Sequence, residues 1–122
     1  INPEDGWYTR YPTYIEYQAR MMLLAEQYPT LVTTFALPRQ TFQRRDIQGL
    51  RINTGGGGAV RQRVLFVGLQ HAREWIAGMV PMYIAETVAR ELAADPEASV
   101  LSSFEFIIVP VMNPDGYEFT YK

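Results

Sequence analysis

Three residues with charged or metal-binding side chains lie close together in the stretch from Gln70 to Trp75. His71 is the only histidine of the chain, and Arg73 and Glu74 follow it within three positions. A neutral imidazole and a carboxylate that face the same point suit a borderline metal ion such as Zn²⁺, which accepts nitrogen and oxygen ligands. One interpretation is therefore a metal site that uses His71 and Glu74.

A second interpretation needs no metal. The pattern His-x-x-Glu is short and arises by chance in many proteins. A single histidine near the end of a strand often packs against its neighbours or forms a hydrogen bond without any ligand. The spacing of His71 and Glu74 does not decide between the two interpretations.

The flanking sequence predicts that this stretch joins a buried strand to a helix. Residues Val64 to Leu69 form an apolar run, and mostly apolar pairs recur every four positions from Trp75 to Leu92. Open α/β sheets bind their ligands at the carboxyl ends of such strands. Gly78 and Pro81 interrupt the helical pattern. Because proline lacks an N–H and crowds the preceding turn, we expect a kink or short break there, with Glu74 on a first turn set apart from the main helix.

The residues before this region predict a helix and a pair of strands. Thr13 and Glu16 have the spacing of a capping box at the start of a helix. The segments 31–37 and 46–53 are typical of strands, and their short separation predicts a hairpin. Four consecutive glycines, Gly55 to Gly58, then follow. Since neither the lysine nor the helix of a phosphate-binding loop comes after them, we interpret them as a flexible surface connection.

The last third of the chain predicts a short helix, a strand and a turn. Asp95 and Pro96 suit the cap and first residue of a helix that ends near Leu101. The long apolar segment 104–112 indicates a strand buried on both faces. The segment 113–116 has proline second and glycine fourth, as in a type I turn. Strands on either side of a crossover helix predict an α/β fold with helices packed on the sheet.

Composition and charge exclude several classes of protein. The chain has 122 residues, of which 48% are hydrophobic and 20% charged, and these values are those of an ordinary globular domain. A net charge of −2 provides no basic surface for nucleic acid. No apolar run approaches the roughly 18–20 residues that span a bilayer. The absence of cysteine excludes disulfides.

Two stretches together resemble one known family. The segment HAREWI, from His71 to Ile76, is similar to the zinc signature of the metallocarboxypeptidases related to pancreatic carboxypeptidases A and B. The segment NPDGYEFT, from Asn113 to Thr120, is similar to a loop that borders the active-site cleft in the same family. The resemblance covers nearly the whole chain, but only the amino-terminal part of the family's catalytic domain. It implies that residues 1–122 form an incomplete carboxypeptidase-like α/β domain, with a partial mixed β-sheet flanked by helices.

The resemblance implies roles for three residues and leaves other roles unfilled. His71 and Glu74 would be two of the three protein ligands of one zinc ion, and Arg73 would line the substrate subsites. The third ligand, the general base and the arginines that hold the carboxylate of the substrate have no counterpart in this chain. We therefore expect them from a companion polypeptide that completes the domain after a nick, or from residues not represented in this sequence, and we expect this chain alone to be inactive.

The implied activity is the zinc-dependent removal of the carboxy-terminal residue from peptides or proteins, by a secreted or extracellular enzyme. Peptide hydrolysis of this kind needs a metal-activated water and a positioned base. Two alternatives stay open. One is a non-catalytic peptide-binding protein on the same scaffold, and the other is a small α/β module with no metal.

Overall fold

The computed structural model describes residues 4–54, 61–97 and 99–122, which form one mixed sheet with helices. The predicted glycine connection, Gly55 to Gly58, lies outside the described residues. Within the described ranges there are four strands and three α-helices, with short 3₁₀ turns at Trp7–Thr9 and Val100–Ser103. The elements in chain order are α1 (Tyr14–Gln27), β1 (Val32–Ala36), β2 (Gln48–Ile52), β3 (Gln62–Val67), α2 (Ile76–Ala94), β4 (Phe104–Val109) and α3 (Pro114–Tyr121).

Helix α1 begins with the predicted capping box. The Thr13 hydroxyl accepts from the backbone N–H of Glu16 at 3.2 Å, and the Glu16 carboxylate accepts from the backbone N–H of Thr13 at 3.0 Å. Both bonds satisfy N–H groups that have no partner within the helix. Tyr17, Met21 and Leu24 are fully buried on one side of α1, and the predicted helix is confirmed.

The sheet has the order β1-β2-β4-β3. Strands β1 and β2 pair antiparallel, with Val32 opposite Ile52, so the predicted hairpin is confirmed. Strands β3 and β4 pair parallel and are connected through α2. A parallel pair needs such a crossover, and the predicted α/β class with a mixed sheet flanked by helices is confirmed.

The buried faces of the strands differ from the prediction at β3 and β4. Strand β4 lies between β2 and β3, and Phe106, Ile108 and Val109 are buried. Glu105 and Ile107, on the opposite face, are only partly buried, so the predicted burial of β4 on both faces is not met at these positions. Strand β3 was predicted to be buried, but it lies at the edge of the sheet, where Leu65 is 62% exposed. The prediction was wrong because an apolar run in the sequence does not show where the strand lies in the sheet. The strand order places β3 at an edge, where fewer neighbours cover its side chains.

One face of the sheet forms the hydrophobic core with α1 and α2. In the described residues, the other face, with Arg51, Leu65, Val67, Glu105 and Ile107, contributes nothing to that core. We call it the outer face. The core cluster from the helices and the covered face includes Tyr17, Met21, Leu24, Leu50, Ile52, Met82, Ala85, Leu92, Phe106 and Ile108.

Helix α2 runs without a break through Gly78 and Pro81, so the predicted short break is wrong, while a kink there stays a prediction. Pro81 is the sixth residue of the helix, where its missing N–H removes one bond, to the carbonyl of Ala77. Burial of Gly78, Met79 and Met82 holds the helix against the core on both sides of the proline. Among the described residues, no helix combines the length and the apolarity needed to cross a bilayer.

The turn predicted for the segment 113–116 is the first turn of helix α3. Asn113 caps this helix, because its side-chain oxygen accepts from the backbone N–H of Gly116 at 3.0 Å, and Pro114 is the first helical residue. A type I turn and a helical turn have similar backbone angles, so the sequence of this segment suits both. Tyr117 is buried, and its packing favours continuation of the segment as a helix.

The short helix predicted from Pro96 to Leu101 is also wrong for the described residues, since Pro96 and Glu97 form a turn and position 98 lies outside them. Asp95 is the carboxyl cap of α2, since its backbone N–H donates to the carbonyl of Glu91 at 3.0 Å. The 3₁₀ turn begins later, at Val100, and the Ser99 hydroxyl caps it. Asp95, which we interpreted as the amino-terminal cap of a new helix, therefore marks the end of α2.

Candidate metal and substrate site

Residues His71 to Glu74 form a tight turn between β3 and α2. The backbone N–H of Glu74 donates to the carbonyl of His71 at 3.1 Å, and the N–H of Ala77 donates to the carbonyl of Glu74 at 2.8 Å. Glu74 thus lies just before α2, as predicted, although no break in the helix separates it. The side chains of His71, Arg73 and Glu74 are exposed, and none of them makes a hydrogen bond or ion pair with the rest of the described chain. Both candidate metal ligands are therefore free to bind.

The backbone that enters this turn is strained and tightly packed. Leu69 is buried and has a φ of 52°, a left-handed conformation that is uncommon for a side-chain-bearing residue. Its carbonyl accepts from the backbone N–H of Asn113 at 3.0 Å, and the carbonyl of Gly68 accepts from Met112 at 2.9 Å. Strained residues of this kind cluster at functional sites, and the surrounding structure must hold them.

Helix α3 packs against the turn from His71 to Glu74. The side-chain amide of Asn113 donates to the carbonyl of Gln70 at 3.3 Å. A Cβ atom at Gly116 would lie only 2.8 Å from the Cβ of Ala72, so the two backbones approach closely there. The sequence interpretation of this segment as a loop bordering the cleft missed its supporting role. The sequence signal was the Asn-Pro pair, which also marks a helix start.

The far side of the turn is held by Trp75. Its indole N–H donates to the hydroxyl of Thr120 at 3.0 Å. Its ring stacks on Tyr121, with the centroids 5.1 Å apart, and Tyr11 and Tyr117 pack edge-on against it. These contacts fix the residue that follows Glu74.

Asp115 links α3 to the β1–β2 connection. Its carboxylate accepts from the Thr41 hydroxyl at 2.8 Å, the backbone N–H of Gln43 at 3.0 Å and the Arg45 guanidinium at 2.9 Å. Burial acts to raise the pKa of Asp115, but these three donors outweigh it and lower the pKa below its ordinary value. The connection between β1 and β2 thereby supports the helix that supports the candidate site.

A second charged cluster lies away from this turn. Arg20 and Glu86 are buried and form a two-bond ion pair at 2.8 and 3.1 Å, and Arg20 also bonds Asp5 at 2.9 Å. Burial, followed by the neighbouring carboxylate of Glu86, raises the pKa of Tyr8, whose hydroxyl donates to that carboxylate. The cluster joins the amino-terminal arm to α1 and α2, and sequence patterns gave no signal for it.

The donor set at the turn fits part of a zinc site. Imidazole nitrogen and carboxylate oxygen are both zinc ligands, and catalytic zinc sites use three protein ligands. Within residues 4–54, 61–97 and 99–122, no three His, Cys, Asp or Glu side chains are grouped closely enough to hold an ion. His71 and Glu74 would therefore need a third ligand from elsewhere.

Comparison with known proteins gives a consistent result. A family model described as zinc carboxypeptidase matches residues 17–122. The inactive metallocarboxypeptidase ECM14 of Ajellomyces dermatitidis is 33% identical over 105 residues, which cover 84% of this chain and 18% of that protein. Carboxypeptidase A4 of Mus musculus is 34% identical over 98 residues, which cover 80% of this chain and 23% of that protein.

The fold is similar to that of a solved carboxypeptidase. The crystal structure of carboxypeptidase A from Helicoverpa armigera matches with a TM-score of 0.77 and 30% identity, over 92% of this chain and 27% of that chain. The present chain thus spans roughly a fifth to a quarter of the length of the two curated relatives.

Proposed function

Because this chain belongs to the zinc carboxypeptidase family, we propose that it supplies part of the active site of a zinc-dependent carboxypeptidase, which removes the carboxy-terminal residue from peptides. The observation that carries the proposal is the turn on which His71 and Glu74 are exposed, unpaired and three residues apart. His71 and Glu74 would hold one zinc ion. Arg73 lies between them on the same turn and would contact the substrate, since its guanidinium suits carbonyl and carboxylate oxygens.

Zinc in such a site supplies polarisation of the peptide carbonyl and acidification of a water molecule. In this proposal, the residues of this chain hold the zinc ion and position the substrate, and they transfer no proton. The turn carries both proposed ligands, and α3 packs against the backbone between them. We assign no general base to this chain, because the family resemblance gives that residue no counterpart here.

We also propose that a companion polypeptide completes the domain and provides the third ligand and the base. Leu65 and Val67 on β3 are 62% and 37% exposed at the edge of the sheet. A groove of about 410 Å³ lies between residues 8–11 and α2, and Ile76, Val80 and Tyr83 line it with exposed apolar surface. Apolar surface of this extent favours a covering partner. In keeping with the family resemblance, we propose that the completed enzyme is secreted or extracellular.

Zinc stoichiometry of the complete protein tests the proposal. We expect one zinc ion per molecule after dialysis, and we expect His71→Ala and Glu74→Ala each to abolish its retention, because two remaining protein ligands hold the ion weakly. Glu26→Gln is the matched control, since Glu26 is an exposed carboxylate on α1. Full zinc retention by both alanine variants would contradict the assigned ligands.

A second candidate function is peptide binding without catalysis on the same scaffold. The observation that favours it is the 33% identity to a relative that is itself named inactive. Hydrolysis of a peptide with a free carboxy terminus distinguishes the two functions. Zinc uptake with hydrolysis supports the enzyme, zinc uptake with peptide binding alone supports the binder, and a complete protein that takes up no zinc supports a module without metal.

A further inference from the structure

The hydroxyl of Thr120 lies between two points of the candidate metal turn. It accepts from the indole N–H of Trp75 at 3.0 Å, and it lies 3.4 Å from the carbonyl oxygen of Ala72 and 3.0 Å from that of Tyr117. A hydroxyl has one proton to donate and can accept from a second group. Thr120 can therefore accept from Trp75 while it donates to the turn or to its own helix.

These two points lie on either side of Glu74. Ala72 lies between His71 and Glu74, and Trp75 comes directly after Glu74. The Thr120 hydroxyl therefore connects both flanks of this carboxylate to α3. Since the side chains of His71 and Glu74 form no hydrogen bond or ion pair in the described chain, we expect the backbone of the turn to determine where they point.

Aromatic packing around Trp75 restricts the orientation of the indole ring that donates to Thr120. The indole of Trp75 is stacked on Tyr121 with an interplanar angle of 16°, and Tyr11 packs edge-on against it at 5.3 Å. The ring therefore has little freedom to turn its N–H towards another acceptor. At the other end of the turn, the bonds from Asn113 to the carbonyls of Leu69 and Gln70 fix the entering backbone.

We infer that Thr120 is a positioning residue, which holds the His71–Glu74 turn in the shape that binds the metal. The inference rests on the proposed zinc site. Groups that orient metal ligands from behind are worth about 10- to 100-fold in metal affinity. Thr120 would act in this way through the backbone and through Trp75, without touching the metal or the substrate.

The test uses the complete protein and two substitutions of similar volume. Thr120→Val removes the hydroxyl, and Thr120→Ser keeps it. We expect Thr120→Val to weaken zinc binding by about 10- to 100-fold, measured by competition with a chelator, and Thr120→Ser to bind zinc almost as tightly as the unsubstituted protein. Thr87→Val is the matched control, because the Thr87 hydroxyl is buried in α2 and has no hydrogen-bond partner in the described structure.

Amide hydrogen exchange in the metal-free protein provides a second readout. We expect Thr120→Val to accelerate exchange at Glu74, whose N–H is bonded within the turn, while exchange in the sheet is unchanged. A variant that only loosens the whole fold would accelerate exchange everywhere. Unchanged zinc affinity in Thr120→Val would overturn the inference even if stability falls.

The two proposals fail in different ways. If the unsubstituted protein takes up no zinc, the proposed function fails. In that case, faster exchange confined to the turn in Thr120→Val would still support Thr120 as its positioning residue, and unchanged exchange would overturn that role. If the unsubstituted protein binds zinc and Thr120→Val binds it equally tightly, the proposed function stands and only the positioning role is lost.

Discussion

At the scale of single residues, Gly68 lies where β3 ends and the turn begins. A Cβ atom at this position would lie 2.1 Å from the carbonyl oxygen of Ala77 and 2.7 Å from that of Pro110. Both are backbone atoms that cannot move without displacing α2 or the end of β4. We therefore predict that Gly68→Ala lowers the free energy of unfolding by about 3 kcal/mol, measured by urea denaturation.

Gly6→Ala is the control for this substitution. Gly6 has a φ of 95°, but nothing lies within 4 Å of its Cβ position. We expect a smaller loss there, of about 1 kcal/mol, from backbone strain alone. Equal losses in the two variants would contradict a steric requirement at Gly68.

Glu16 is expected to make stability depend on pH in the acid range. Hydrogen bonding by the Arg10 guanidinium, then by the backbone N–H of Thr13, lowers the pKa of Glu16 from 4.5 to about 2. Because the folded-state pKa is the lower one, this stabilisation is fully present above about pH 4.5 and is lost as the pH falls towards about 2. We predict that Glu16→Gln removes this part of the pH dependence, measured by urea denaturation at a series of pH values.

The size of the Glu16 effect should depend on salt. The side chains of Arg10 and Glu16 are 61% and 33% exposed, so the ion pair is screened by solvent and by added ions. Glu26→Gln, at an exposed carboxylate on the same helix, is the matched control for the loss of one charge from α1. A profile that is the same for Glu16→Gln and the unsubstituted protein would show that the pair contributes nothing.

At the scale of elements, Asn113 joins the start of α3 to the metal turn. Its oxygen caps the helix and its amide donates to the carbonyl of Gln70. We predict that Asn113→Ala costs about 1–2 kcal/mol of stability, because both bonds are lost. Asn113→Asp keeps an acceptor for the cap and loses the donor, so urea denaturation should place it between the alanine variant and the unsubstituted protein. Equal stability of all three would contradict the double role.

The elements that could be predicted are those whose signals are local. The capping box at Thr13 and Glu16 lies within four residues, and both of its bonds are present. The segment from Asn113 was misinterpreted because its first four residues suit both a turn and a helix start. What decides between them is the burial of Tyr117 against the core, a tertiary contact that a local pattern does not contain.

The candidate site could be predicted only as a set of residue types. His71, Arg73 and Glu74 are recognisable from their chemistry and from the family resemblance. The left-handed backbone of Leu69 and the hydroxyl of Thr120 have no sequence signal of their own, because both depend on contacts between segments more than 40 positions apart.

At the scale of the whole molecule, strand order is the feature that sequence could not provide. The hairpin of β1 and β2 follows from a short connection, but the insertion of β4 between β2 and β3 does not. Since that order leaves β3 at the edge, it also decides which apolar side chains the described chain leaves exposed.

The exposure of β3 leads to a prediction about the stability of the complete protein, which depends on whether a companion polypeptide covers the outer face. Leu65 lies on the outer face, opposite Ile107 on β4, and is 62% exposed. If a companion polypeptide covers this face, Leu65→Lys should reduce self-association of the 122-residue chain and yet destabilise the complete protein. The loss there should be about 2 kcal/mol or more, because a buried leucine is replaced by a charge. Sedimentation measures the change in self-association, and urea denaturation measures the change in stability of the complete protein.

Val100→Lys is the control, since Val100 is 73% exposed in a 3₁₀ turn, and it should change neither quantity. If Leu65→Lys left the stability of the complete protein unchanged, the outer face would be open to solvent in the finished molecule, and the companion would have to complete the zinc site without packing there.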